Sequence, residues 1–167
     1  MTLDVDFAGG SAVNPLDLLE DILCANSWPF DRTGEDELVG EIGGRWCDYR
    51  LVFCWAGDLH AMQFTCAMDM KVPVERRGDI LELTSLANER LWLGHLNLCS
   101  EEAIPVFRHT LMLRGMRGAS VEQLEDLMDI AVTECERYYP ALQLVIWGGR
   151  RPAEAMVSAM LEPEGSA

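Results

Sequence analysis

Lysine is all but missing: Lys71 stands alone among 167 residues. A phosphate-loop nucleotidase or a Schiff-base enzyme would have to use it. It lies beside Val72-Pro73 and not in a glycine-rich loop, which argues against both. Positive charge is short throughout, with 13 Lys+Arg against 28 Asp+Glu and a net charge of -15. Such a surface repels phosphate backbones and anionic bilayers, so neither nucleic acid nor a membrane is expected as a partner. It favours solubility and steers basic partners inward. No apolar run reaches membrane-spanning length. The patterns G-x-S-x-G, H-E-x-x-H and G-x-G-x-x-G are absent. Cys24, Cys47, Cys54, Cys66, Cys99 and Cys135 include no C-x-x-C pair. Several fall in apolar strand patterns, where a thiol behaves as a small hydrophobe. The start, Met1-Thr2-Leu3-Asp4-Val5-Asp6, has no basic region followed by an apolar one, so it does not read as a signal peptide. A reducing, cytoplasmic setting is expected.

What is present reads as one domain. Residues 1–12 and 162–167 are Gly-, Ser- and acid-rich tails, and 13–161 form the folded unit. Asn14-Pro15 opens a helix carrying Leu16, Leu19, Ile22 and Leu23 at helical spacing. Ser27-Trp28-Pro29 ends it. Three strands follow: Glu37 to Ile42, Arg45 to Trp55 after a Gly43-Gly44 turn, and Leu59 to Met70. Residues from Val74 to Leu93 read as a second helix. Its main stripe is Ile80, Leu83, Ala87 and Leu91. A second stripe of Leu81, Ser85, Asn88 and Trp92 is uncharged, more than a helix on one sheet requires. Strands four and five form the hairpin Leu93 to Gly115. Ser120 and Gln123 make a capping box for a third helix, which Pro140 is expected to kink or interrupt. Ala141 to Trp147 is an apolar run broken by Gly148-Gly149, and Pro152 begins a short last helix. The order is α-β-β-β-α-β-β-α plus that helix. This is an α+β fold with a five-stranded, mainly antiparallel sheet and helices packed on it.

The hairpin holds two of the three histidines. Leu96 belongs opposite Phe107, with Glu101-Glu102 at the turn. Parity then sends His95 and Cys99 away from the core, toward Arg108, and His109 inward with Phe107 and Leu111. On opposite faces the two histidines do not share a metal, and neither metal nor other cofactor is expected. His60 sits beside the Gly57-Asp58 turn, where exposure is ordinary. The acids Glu35-Asp36-Glu37 and Glu101-Glu102 are neighbours in loops, not a pair in two environments across a cleft. Arg114 and Arg117 either bind an anion or offset acids and helix ends. Trp28, Phe30, Trp46 and Trp92 either anchor a partner or form satellite core under loops. No catalytic residue is nominated.

Three segments carry a family resemblance. They are Ser85-Leu86-Ala87-Asn88-Glu89-Arg90-Leu91-Trp92-Leu93-Gly94-His95-Leu96, Val106-Phe107-Arg108-His109-Thr110-Leu111, and Tyr139-Pro140-Ala141-Leu142-Gln143-Leu144-Val145-Ile146-Trp147-Gly148-Gly149. The chain resembles the YbjN-like family of bacterial candidate sensory-transduction regulators, from about Asn14 to Leu161. That resemblance implies a fold like the type III secretion chaperones, which are small acidic homodimers binding extended segments of other proteins. It brings no catalytic residues. The leading expectation is a non-enzymatic interaction module, chaperone-like or regulatory. Its partners are a second copy and an extended protein segment, met through Leu81, Ser85, Asn88, Trp92 and Trp46. The competing expectations are a small-molecule sensor or enzyme, with Arg50, Asp48 and His60 converging between sheet and helices, and a bare subunit of a larger complex.

Overall fold

A computed structural model describes residues 12–161; the expected tails, Ala12 aside, lie outside them. The elements are α1 Leu16–Ala25, β1 Phe30–Arg32, β2 Glu37–Gly43, β3 Asp48–Ala56, β4 Ala61–Ala67, α2 Arg77–Asn88, β5 His95–Cys99, β6 Ile104–Met112, α3 Val121–Ile146 and α4 Pro152–Leu161. A 3-10 turn, Val74–Arg76, leads into α2. The strands form one antiparallel sheet in the order β1-β2-β3-β4-β6-β5.

The α+β reading holds, but the sheet has six strands rather than five. The extra strand is β1, read from sequence as loop. Three residues following Pro29 are too short to show a period of two. Its stability comes from pairing: Phe30 lies opposite Gly40, and the Glu41 N–H donates to the Pro29 carbonyl at 3.0 Å. Arg32 is tied to α1 through Asp17 at 2.8 Å and Glu20 at 3.3 Å.

Alternation along β3 and β4 sends Tyr49, Leu51 and Phe53, with Met62, Phe64 and Cys66, to one face, where all are buried. The helices cover that face, with α1 on β2, α2 on β5 and α3 on β4, while α4 packs on α2 and α3. The other face carries Arg50, Val52, Gln63, Thr65 and Arg108, exposed or half-buried. Buried Cys66 and Cys135 bring their sulfurs to 3.8 Å between β4 and α3. The contact with Cys66, together with burial, raises the Cys135 thiol well above its ordinary range, so it stays protonated and inert.

Helix α3 has the expected capping box: Gln123 N–H donates to Ser120 Oγ at 3.0 Å, and Ser120 N–H to Gln123 Oε1 at 2.9 Å. It does not stop at Pro140 but runs on to Ile146. The apolar run after Pro140 is helical, because Ala141, Leu142, Val145 and Ile146 recur on one buried side. Their burial offsets the lost backbone bond. Gly149, at φ +63°, then ends the turn.

Glu136 does not face water, as helical periodicity suggested. Its Oε1 accepts the Arg45 N–H at 2.6 Å and its Oε2 accepts the Tyr49 hydroxyl at 2.8 Å. The β2–β3 connection is accordingly longer than a Gly43-Gly44 hairpin turn, with β3 starting only at Asp48 and the Gly44 N–H donating to the Cys47 carbonyl at 2.9 Å. Burial and the Glu136 contact both push the Tyr49 hydroxyl up, so it remains a donor. Glu136→Ala is expected to cost about 2 kcal/mol, because it strands the Tyr49 hydroxyl, and Glu136→Gln less. Urea denaturation with an unchanged m value checks this.

Candidate functional site

The expected partner surface divides in two. Leu81, Ser85 and Trp92 are exposed, Trp92 at 76%. Asn88 is committed inside the chain. At the last turn of α2 its Nδ2 donates to the Leu96 carbonyl at 3.0 Å and its Oδ1 accepts the Leu96 N–H at 2.7 Å. The side-chain amide thus stands in for a further strand along β5, which is an edge. Trp46 is half-buried, stacked on Tyr139 with centroids 6.1 Å apart and planes within 8°, and Arg45 lies 4.9 Å over its ring. Helix α2 is also shorter than Val74 to Leu93, so Trp92 lies beyond its end. Part of its surplus apolar surface is met by α4: Leu86 lines a groove of about 340 Å³ with Met156, Val157, Met160 and Leu161.

The hairpin register is as parity required. Leu96 faces Phe107 and His95 faces Arg108, while His109 lies opposite Phe64 on the inner side. Yet the two histidines come together in a way parity did not foresee. β5 ends at His95, whereas β6 continues past Arg108 to Met112. Beyond that point β6 keeps β4 on one side but has no described strand on the other, and the two faces of the sheet meet in a notch. This cavity of about 430 Å³ is lined by Gln63, Phe64 and Thr65 of β4, Gly94, His95, and Arg108, His109 and Thr110 of β6. Partial burial is the larger cause holding the His109 imidazole below its ordinary value of 6.5, and the charge of His95 adds to it.

Gly94 makes the notch. Its φ is +67°, and a Cβ there would strike the Phe107 ring and lie 2.8 Å from the Arg108 carbonyl oxygen. Only glycine lets the chain enter β5 this close to β6. The signal that could have located the notch is the mismatch between a five-residue β5 and a nine-residue β6, with Gly94 at the break.

The other constellations do not assemble. Arg50 pairs with Glu102 at 2.7 Å on the open face and lies opposite Ala67, near Asp48. His60 is in the β3–β4 turn at the far end of those strands, at φ +48°, so Arg50, Asp48 and His60 share no pocket. Cys99 lies opposite Ile104, at the other end of β5 from His95. Among the described residues no three of His, Cys, Asp and Glu are placed to hold a metal ion, and no helix is long and apolar enough to cross a membrane.

Residues 15–144 match the model of the YbjN family, described as "putative bacterial sensory transduction regulator". The chain belongs to the YbjN family. It is also similar to the crystal structure of YbjN, "a putative transcription regulator from E. coli", at 14% identity and a TM-score of 0.48, over 78% of this chain and 97% of that one. No curated protein matches the sequence significantly. The YbjN-family match spans α1 through most of α3, and so includes the notch and the Asn88 contact.

Two outcomes are expected. Asn88→Ala leaves the Leu96 N–H and carbonyl without their partner and lowers stability by about 1–3 kcal/mol in chemical denaturation. The depressed His109 value gives a sign for pH. Its contribution is complete above 6.5 and is lost as pH falls through the lower folded-state value, because the unfolded chain takes up the proton first. His109→Gln should therefore lose less stability than wild type between about pH 7.5 and about pH 5.5, in buffer free of phosphate and sulfate.

Proposed function

We propose that this YbjN-family chain is a non-enzymatic regulatory module that binds protein, and that its first partner is a second copy of itself. The carrying observation is the apolar surface left open along α2 and α4. Val157, Met160 and Leu161 are exposed in the groove that Leu86 and Met156 also line, and Leu81 is exposed farther along α2. In a chain of net charge -15, two copies repel through most of their surfaces. This patch has few acids, and its rim holds both Glu89 and Arg90. In an isologous contact, Arg90 of each copy can face Glu89 of the other. The family description supports a regulatory role, and the scattering of His60, Arg50 and Cys99 supports binding over catalysis.

On this reading the dimer presents its acidic exterior to an extended, basic segment of another protein, as the chaperone-like resemblance implies. The reading is cytoplasmic, in keeping with six cysteines that are all free thiols. The experiment is size-exclusion chromatography with light scattering. The expected mass is twice 18.7 kDa, falling to the single value for Val157→Glu or Met160→Glu. A strict monomer at high micromolar concentration would sink the proposal.

A further inference from the structure

We propose that the notch at the start of β5 is a binding site for a small organic phosphate, with Arg108 as its anchoring cation and His95 and His109 as flanking donors. This goes beyond the protein-binding reading and does not depend on it.

The charge pattern is the first reason. Arg32, Arg50, Arg76 and Arg137 each pair with a carboxylate at 2.7–3.8 Å. The Arg108 guanidinium has no hydrogen-bond or ion-pair partner among the described residues, in a chain where acids outnumber bases 28 to 13. No acid lines the cavity. The open-face acid in line with it is Glu37, which shares a cross-strand row with Cys54, Gln63 and Thr110. It sits two strands from Gln63, roughly 10 Å away, and accepts from Thr33 Oγ1 at 2.9 Å. At physiological salt a charge that distant is largely screened.

Donor chemistry is the second reason. Arg108 offers a planar fork suited to two oxygens of one anion. Either imidazole can donate, and Gln63, Thr65 and Thr110 add neutral donors. So many donors around one point exceed what a carboxylate's two oxygens need and suit a tetrahedral phosphate. The notch is also larger than a phosphate alone: about 430 Å³, with buried Phe64 in its wall, leaves room for an organic group. Polymeric phosphates do not fit the reading, because the surrounding surface repels a long polyanion.

The test is calorimetric titration of the full chain with inorganic phosphate and with methyl phosphate. Wild type, Arg108→Gln and Arg50→Gln are compared, with acetate as a parallel arm. Saturable one-to-one binding is expected, weakened at least about tenfold by Arg108→Gln and unchanged by Arg50→Gln, which lies two strands away on the same face, outside the notch and paired with Glu102. In NMR, phosphate should move the ring C–H signals of His95 and His109 but not those of His60. That reading needs no variant, so it stands even if Arg108→Gln fails to fold. Absence of saturable binding, equal weakening by the two arginine variants, or acetate binding as tightly as phosphate would each overturn the assignment.

Discussion

Phe107 sets the phase of everything at the functional end of the sheet. Its ring is buried between strands, opposite Cys66 on β4 and Leu96 on β5. A side chain of that size cannot be moved to the open face without emptying the core, so a one-residue slip of β6 is forbidden. Arg108 is thereby committed to the open face and His109 to the covered one. Gly94 then brings the start of β5 against the same ring and the Arg108 carbonyl, a contact that halts β5 while β6 runs on. The notch follows from one aromatic residue that must be buried and one glycine that must lack a side chain.

This explains which parts of the molecule could be read from residues alone. Parity is a local property, and alternation around Leu96, Phe107 and Leu111 was enough to obtain the register of the hairpin. The capping box at Ser120 and Gln123 is equally local. The edges of elements are not. β1 exists because Phe30 finds Gly40, ten residues on, and helix α3 outlasts Pro140 because its far side is buried. The destination of Glu136 was missed for the same reason: helical periodicity put it on a polar face, and only the fold brings the β2–β3 turn beneath it. Strand parity alone puts the two histidines on opposite faces of the sheet. That is correct for an unbroken sheet, and it fails where the sheet ends.

The placement of charge separates surface from site. Arg32, Arg50, Arg76 and Arg137 are paired with carboxylates, which in exposed positions adds little stability but removes bare positive charge. What remains uncompensated therefore carries more information than the overall sum. A net charge of -15 argues against long polyanions, because their many phosphates sample the whole field. A single small anion samples only a Debye length or so. Within that radius the notch presents Arg108 and two imidazoles with no lining acid. An acidic protein and a local anion site are therefore compatible.

Edge protection carries the same logic to the opposite side of the notch. An edge strand with free backbone groups invites pairing with other chains. Asn88 spends both hydrogen-bonding atoms of its amide on Leu96, which closes β5 just beyond His95. The last turn of α2 is thus anchored to the strand whose first residue lines the notch. From there α2 leads directly to α4, since Leu86, Glu89 and Arg90 lie in the groove with Met156 and Val157. A shift of β5 transmitted through Asn88 would have to move the C-terminal turns of α2 against α4, because packed helices slide as units. Ligand at the notch and partner at the α2–α4 surface would then act on one rigid connection, only a few residues long.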